Sequence, residues 1–344
     1  MYKVAGSNLF HQWLHEDLIF DKFKPTCKNG QPHIAEVICI CWSYNLFREG
    51  DSLYVSGAFQ SKDDQYREIP IPEKLKNTCI LTSGNDYNLI LVGTGSSIVF
   101  IYNLKTHEYK SIKFIEAMNV DDVQIVKVVM TNNNCIYLSN QGDIYCGILP
   151  IHLNTGHCNG KIVDVVLGNE HAILLTDTGQ IYTWGNGRRL QLGHGELNNL
   201  ESPTEVKALA GIKIIKISAG GWHSCALSEF GDLYVWGWND MGQLGVKQGS
   251  ENLQTFGLPT LVDIYDGDGQ EIQINVIDVA CGTRHTAIVL EDRSIWTSGN
   301  NKYGQLGLCI EEYQKVVYFK KSYKYKTECK LKCGPWSTII VASL

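Results

Sequence analysis

No part of this 344-residue chain approaches the run of about 18 apolar residues that a membrane-spanning helix requires. The opening "MYKVAGSNLFHQWLHEDL" has neither a basic n-region nor a long apolar h-region, so no secretory signal is expected. The twelve cysteines contain no CxxC pair and no zinc-finger spacing. They read as free thiols of a reducing compartment, nuclear or cytoplasmic, rather than as a disulfide framework. In this reading Cys39 and Cys41 alternate onto one strand face, and Cys329 and Cys333 flank the start of a turn. Charge of one sign is not in excess either. A formal −6 argues against a protein that coats nucleic acid by bulk electrostatics. Helical periodicity is nearly missing, with 311–318 the one stretch to consider. There is no G-x-S-x-G elbow, Walker lysine loop or dinucleotide fingerprint, so neither an enzyme nor a cofactor is expected.

What the chain does have is an ordinary globular composition, 44% hydrophobic and 19% charged, and a repeat. "SAGGWHSCALSEFGDLYVWGWNDMGQLG" (218–245) returns as "VLGNEHAILLTDTGQIYTWGNGRRLQLG" (166–193) and "ACGTRHTAIVLEDRSIWTSGNNKYGQLG" (280–307). His171, His223 and His285 are equivalent, 52 and 62 residues apart, and Gly185, Gly237 and Gly299 each follow their histidine by 14. A spacing fixed inside the unit and variable between units describes a folded module joined by loops. Weaker copies lie at 40–57, 85–103 and 132–147, and "CGPWSTIIVASL" (333–344) supplies one more first half. Its second half is at the other end of the chain, where "VAGSNLFHQWL" (4–14) matches "VWGWNDMGQLG" at Gly6, Asn8 and Gln12.

Within a unit, "CALS" and "DLYVWG" alternate apolar and polar residues around a Gly-Asp hairpin signal, with "KIIKISAG" as the preceding strand. The expected fold is therefore all-β: a seven-bladed propeller of four-stranded blades over 1–344, closed by N-terminal strands (2–14) pairing in the C-terminal blade. The best-defined repeats span 162–344, and 34–160 forms divergent blades. Residues 58–84 and 246–276 read as irregular connectors, the latter with an exposed polar loop.

"GWHS", "GTRHT" and "WGxNxxGQLG" resemble the repeats of the regulator of chromosome condensation family. That resemblance implies a propeller, and in the founding member a guanine nucleotide exchange factor for the small GTPase Ran that also binds nucleosomes. "AGGWHS", "CGTRHT" and "CGPWST" are more similar to a nuclear member that partners a JmjC-domain oxygenase in histone methylation and chromosome segregation. The resemblance thus implies an interaction propeller, monomeric on its own, with no membrane and no small-molecule substrate. Nucleotide exchange on a Ran-like GTPase and direct histone binding are the alternatives.

The candidate site residues each have a plain structural alternative. His171, His223 and His285 recur once per blade beside Ala172, Ser224 and Thr286, so they read as scaffolding, each bonding its own blade's backbone. Cys146, His152, His157 and Cys158 are suitable zinc ligand types in no standard spacing, and "DIYDGDGQE" lacks the positions of a calcium loop; no metal is expected. Trp222, Arg284 and Trp336 fall at equivalent loop positions, with Trp42 placed alongside them, a composition typical of recognition hot spots or of packing between blades. Arg188 and Arg189, and Trp238 beside Asn239, occupy the turn of the same motif. Lys320, Lys321, Lys324 and Lys326, interleaved with Tyr323 and Tyr325, form either a basic patch or an outer strand with one wet face.

Overall fold

A computed structural model describes residues 2–28, 31–32, 35–58, 66–76, 80–93, 98–113, 124–247 and 255–342. Its strands assemble into seven four-stranded antiparallel sheets, together with a small hairpin of Cys27–Lys28 and Gln31–Pro32. Taken from the centre outward, blade 1 is Glu36–Ile40, Tyr44–Glu49, Ser52–Gly57 and Arg67–Ile69. Blade 2 is Ile80–Gly84, Asn88–Gly93, Ile98–Asn103 and Tyr109–Lys113; blade 3 is Ile125–Met130, Cys135–Ser139, Ile144–Cys146 and Ile151–Leu153. Blade 4 is Ile162–Leu167, His171–Thr176, Ile181–Gly185 and Leu200–Glu205; blade 5 is Ile214–Ala219, His223–Ser228, Leu233–Gly237 and Phe256–Leu261. Blade 6 is Val276–Cys281, His285–Leu290, Ser294–Asn300 and Lys315–Lys324.

Blade 7 closes the ring. Cys329–Gly334 and Ser337–Ala342 form its inner half, and Tyr2–Ser7 then Ile19–Pro25 its outer half. The joint is an antiparallel pairing that runs from Tyr2 opposite Val341 to Gly6 opposite Ser337. Of the residues expected to close the ring, 8–14 form a loop, and the second closing strand lies further on at Ile19–Pro25. The motif match that located this joint holds atom by atom. Asn8 Oδ1 accepts from Trp13 N (2.8 Å) as Asn239 Oδ1 does from Leu244 N and Asn301 Oδ1 from Leu306 N (both 3.0 Å).

Second strands such as His171–Thr176 and His223–Ser228 are buried throughout, because a neighbouring blade covers each face. Apolar clusters therefore lie between blades, for example Leu227, Val235, Val279, Ile288 and Trp296 at the joint of blades 5 and 6. The constant 14-residue spacing has a simple cause: His171, His223 and His285 pair directly opposite Gly185, Gly237 and Gly299. These glycines have φ of +107°, +98° and +109°, and a Cβ on Gly185 would lie 2.5 Å from Glu170 O.

Three sequence expectations change. Residues 311–318 contain no helix; Lys315–Lys324 is the long outer strand of blade 6, and the helical turns among the described residues are 3-10, at Glu73–Leu75 and Lys207–Leu209. The 246–276 connector contains the outer strand of blade 5, Phe256–Leu261, while 248–254 lies outside the described residues. Likewise 58–84 carries the strands Arg67–Ile69 and the whole of Ile80–Gly84, with 59–65 and 77–79 outside the described residues.

One feature of the inner strands was not expected. At a single level of the ring, the blades in order present Glu36, Leu81, Lys127, Asp164, Lys216, Asp278 and Lys330. Charge alternates around the belt, broken only at Leu81. Lys127 pairs with Asp164 across blades 3 and 4, and Lys216 with Asp278 across blades 5 and 6.

Candidate functional site

The histidines form an inter-blade relay. His171 Nε2 meets Ser224 Oγ at 2.9 Å, His223 Nε2 meets Thr286 Oγ1 at 2.9 Å, and His285 Nε2 meets Thr338 Oγ1 at 3.0 Å. Each hydroxyl donates onward to a backbone carbonyl: Ser224 to Gln191 O (2.9 Å), Thr286 to Gln243 O and Thr338 to Gln305 O (both 2.7 Å). With its own hydrogen committed, each hydroxyl must accept from the ring, so every imidazole is protonated at Nε2. Burial, then the neighbouring His223, pushes His171 and His285 down to about 3. The sequence expectation of a bond to the same blade's backbone is corrected here: each histidine bonds the next blade. Room for the ring comes from Gly168, Gly220 and Gly282, where a Cβ would sit 2.0–2.1 Å from the imidazole Cε1.

Loops from the first to the second strand and from the third to the fourth strand emerge on one face, and most of the expected rim residues meet there. The Arg189 guanidinium stacks over Trp222 at 4.3 Å and over Trp238 at 4.5 Å, and Arg284 covers Trp238 at 4.6 Å. Trp222 and Trp238 meet edge to face at 5.3 Å. Two acids complete the cluster. Glu170 accepts from Trp222 Nε1 (3.0 Å) and lies 3.9 Å from Arg189, while Asp240 pairs with Arg284 at 3.1 Å. All four expected residues are half-buried, whereas Arg188 is exposed and stands outside the cluster.

Trp336 and Trp42 belong to a second cluster, at blades 6, 7 and 1. Trp42 packs on Trp336 (5.7 Å), on Tyr303 (6.0 Å) and on Phe10 (6.1 Å), and Tyr303 on Trp336 (5.4 Å). Trp42 is one position away from its assigned place. Tyr44, paired with Gly57, holds the histidine position, so Ser43 is the equivalent of Trp222, and its carbonyl accepts from Ala58 N as Trp222 O does from Trp238 N. Sequence reading missed Glu170, Asp240, Tyr303 and Phe10, whose significance depends on which blades adjoin.

Between the clusters opens the mouth of the central channel, a cavity of about 430 Å³ to which every blade contributes, from Trp42 round to Trp336. Its rim is stitched by backbone bonds from blade to blade: Asn169 N to Gly221 O (3.0 Å), Gly221 N to Thr283 O and Thr283 N to Pro335 O (both 3.1 Å).

The remaining candidates separate from this face. Lys320, Lys321 and Lys324 lie on the outer strand of blade 6, whose Val316 and Phe319 are buried, and Lys326 follows just beyond it. Lys320 stacks on Tyr313 (4.9 Å) and Lys324 pairs with Asp292 (3.1 Å). His157 Nε2 bonds Pro203 O at 2.6 Å and His152 lies 3.9 Å from Asp143, and the pair makes no convergent ligand set with Cys146 and Cys158. The ten described cysteines are free; Cys329 and Cys333 share one strand rather than flanking a turn.

Models of the regulator of chromosome condensation (RCC1) repeat match residues 178–227 and 231–289, and, in a second form, 162–191, 214–243 and 276–305. Residues 162–305 of the chain are thus repeats of this family. Over 199 residues the chain is 35% identical to RCC1 domain-containing protein 1 of Homo sapiens, a match covering 46% of this chain and 50% of that protein. The chain thus aligns with about half the length of the curated relatives it matches first. Human WBSCR16 shares the fold at a TM-score of 0.75 and 15% identity, covering 100% of both chains. Prp20p of Saccharomyces cerevisiae does so at 0.77 and 13%, covering 100% of this chain and 91% of that one.

The RCC1 repeat matches stop short of blades 1–3 for a visible reason. There the histidine position is held by Tyr44, Asn88 and Asn134, and other groups bridge the blades. Tyr44 OH donates to Asn85 O (2.7 Å), Asn85 Nδ2 to Thr131 O (3.2 Å) and Asn133 Nδ2 to Asn169 O (3.1 Å). The geometry is kept while the motif is lost.

Proposed function

We propose that this RCC1-repeat propeller is a non-enzymatic, nuclear interaction protein that docks a partner on the face carrying the Trp222–Trp238–Arg189–Arg284 cluster. The observation that carries the reading is that cluster itself. Four half-buried side chains from three blades present aromatic and guanidinium surface already held in place, so docking orders little that is not ordered beforehand. The partner we infer is a JmjC-domain oxygenase, with a role in histone methylation and chromosome segregation. The support is the resemblance of "AGGWHS", "CGTRHT" and "CGPWST" described above, together with the match to RCC1 domain-containing protein 1.

The test is Trp222→Ala combined with Arg284→Ala. Half-exposed stacking contributes about 1 kcal/mol per contact, so the melting curve shifts little. Affinity for the oxygenase in a purified pull-down or calorimetric titration falls roughly 30-fold or more, as for hot-spot residues worth about 2 kcal/mol. A variant that binds normally overturns the assignment of the face, and one that unfolds returns both residues to packing.

The fold shared with Prp20p, whose structure is described together with its binding properties to Gsp1p and histones, supports a second reading. In it the propeller engages a small GTPase, or engages histones through Lys320, Lys321, Lys324 and Lys326. Release of labelled nucleotide at the basal rate, and nucleosome binding insensitive to salt, would each count against it.

A further inference from the structure

We propose that His223, Cys225 and Cys281 form a zinc site at the joint of blades 5 and 6. Among the described residues they are the one set of three potential ligands whose donor atoms converge, all lying within 4.8 Å of one another. The two sulfurs are 3.3 Å apart. A tetrahedral zinc, with bonds of about 2.3 Å to sulfur and about 2.0 Å to nitrogen, holds its donors roughly 3.5–3.8 Å apart. Binding therefore asks the sulfurs to part by only a few tenths of an ångström.

The relay explains the histidine but not the thiols. At the joint served by His171, the equivalents of Cys225 and Cys281 are Ile173 and Ala219; at that served by His285 they are Ala287 and Cys333. Only beside His223 do two sulfurs accompany the ring. Nε2 of the ring is taken by Thr286, while Nδ1, as in His171 and His285, is buried without a hydrogen-bond partner among the described residues. His223 and Cys225 are wholly buried, whereas Cys281 lies on the wall of the channel mouth, which gives an ion a way in.

Charge favours the same occupant. Zinc displaces one proton from each thiol, and the resulting pair of thiolates with a neutral imidazole balances the two positive charges of the ion. A neutral assembly suits a buried joint. Water from the mouth fills the fourth position.

The experiment uses the full chain, purified under reducing conditions, stripped with chelator and titrated with zinc chloride against a chromophoric zinc indicator. The wild type should withhold a single ion from the indicator, and cobalt in its place should give sulfur-to-metal charge-transfer absorption. Cys225→Ala and Cys281→Ala should lose both signals. Alanine already stands at the equivalent positions 287 and 219, so these variants are expected to keep the fold, which circular dichroism checks. Cys39→Ser with Cys41→Ser, removing a thiol pair 3.5 Å apart elsewhere on the ring, should keep both signals. The proposal is overturned if the wild type withholds no zinc. It is equally overturned if the folded alanine variants retain the ion, or if the Cys39/Cys41 variant loses it.

Discussion

An imidazole sealed into a protein without a counter-charge resists protonation, and two of the relay histidines have that property. His171 and His285 sit near 3 in the fold against 6.5 for the free side chain, first because of burial. The unfolded chain therefore takes up protons that the native state refuses. Their contribution is complete above pH 6.5 and is lost as pH falls toward 3, at about 1.4 kcal/mol per pH unit for each histidine. Urea unfolding at pH 7 and pH 5 should show a loss of roughly 4 kcal/mol from this pair. A flat profile across that interval would refute the neutral, Nε2-protonated assignment. At this scale the sequence was informative about type and silent about partner. One histidine per module, followed by Ser224 or Thr286, marked a structural position, but the bond crosses to a blade 53 or 63 residues away, which spacing within a module does not reveal.

Strands differ in how strongly they announce themselves. Second and third strands are covered on both faces and read as apolar runs, as in "HAILLT" and "HTAIVL". Outer strands have an open edge that constrains composition little. Phe256–Leu261 even carries Pro259, tolerated where no further strand pairs, so its sequence does not announce a strand. Lys315–Lys324 was obscured by lysines that face solvent while Val316 and Phe319 turn inward. The closing strand was legible because Gly6, Asn8 and Gln12 keep the motif's own hydrogen bonds. It also yields a sharp expectation. Ala5 is fully buried opposite Thr338, and Ala5→Pro removes a ladder donor in mid-sheet, at a cost of about 3 kcal/mol or more. Differential scanning calorimetry should show a large fall in melting temperature; an unchanged melt would mean that this pairing does not hold the ring.

Across the whole molecule, the proposed docking face and the belt of charge are separate systems. The face is assembled from loops, and Trp222, Arg284 and Trp238 were legible because they repeat. Glu170, Asp240, Tyr303 and Phe10 were not, since only the circular arrangement brings them to their partners. The belt lies on the inner strands. Asp278, nearly buried, accepts from Lys216 and from Leu331 N (2.7 Å), and so joins blades 5, 6 and 7. Asp278→Ala would leave the Leu331 amide without its acceptor and the part-exposed Lys216 without its partner, costing about 1–3 kcal/mol. Chemical denaturation should register that loss while the affinity of the folded fraction for a docked partner stays unchanged. A variant as stable as the parent would show that the belt does not couple the blades.

The circle is completed by strands far apart in the order of synthesis. Tyr2–Ser7 leaves the ribosome before any blade exists, and its partner Ser337–Ala342 emerges only after the other six have been translated. Throughout that interval a nascent β-strand exposes unsatisfied amides and carbonyls to its surroundings. Premature termination in any later blade would thus release a product in which the Tyr2–Ser7 strand keeps one edge unpaired. Such truncated chains should be clients of molecular chaperones and substrates for quality-control proteolysis, rather than partly working versions of the protein.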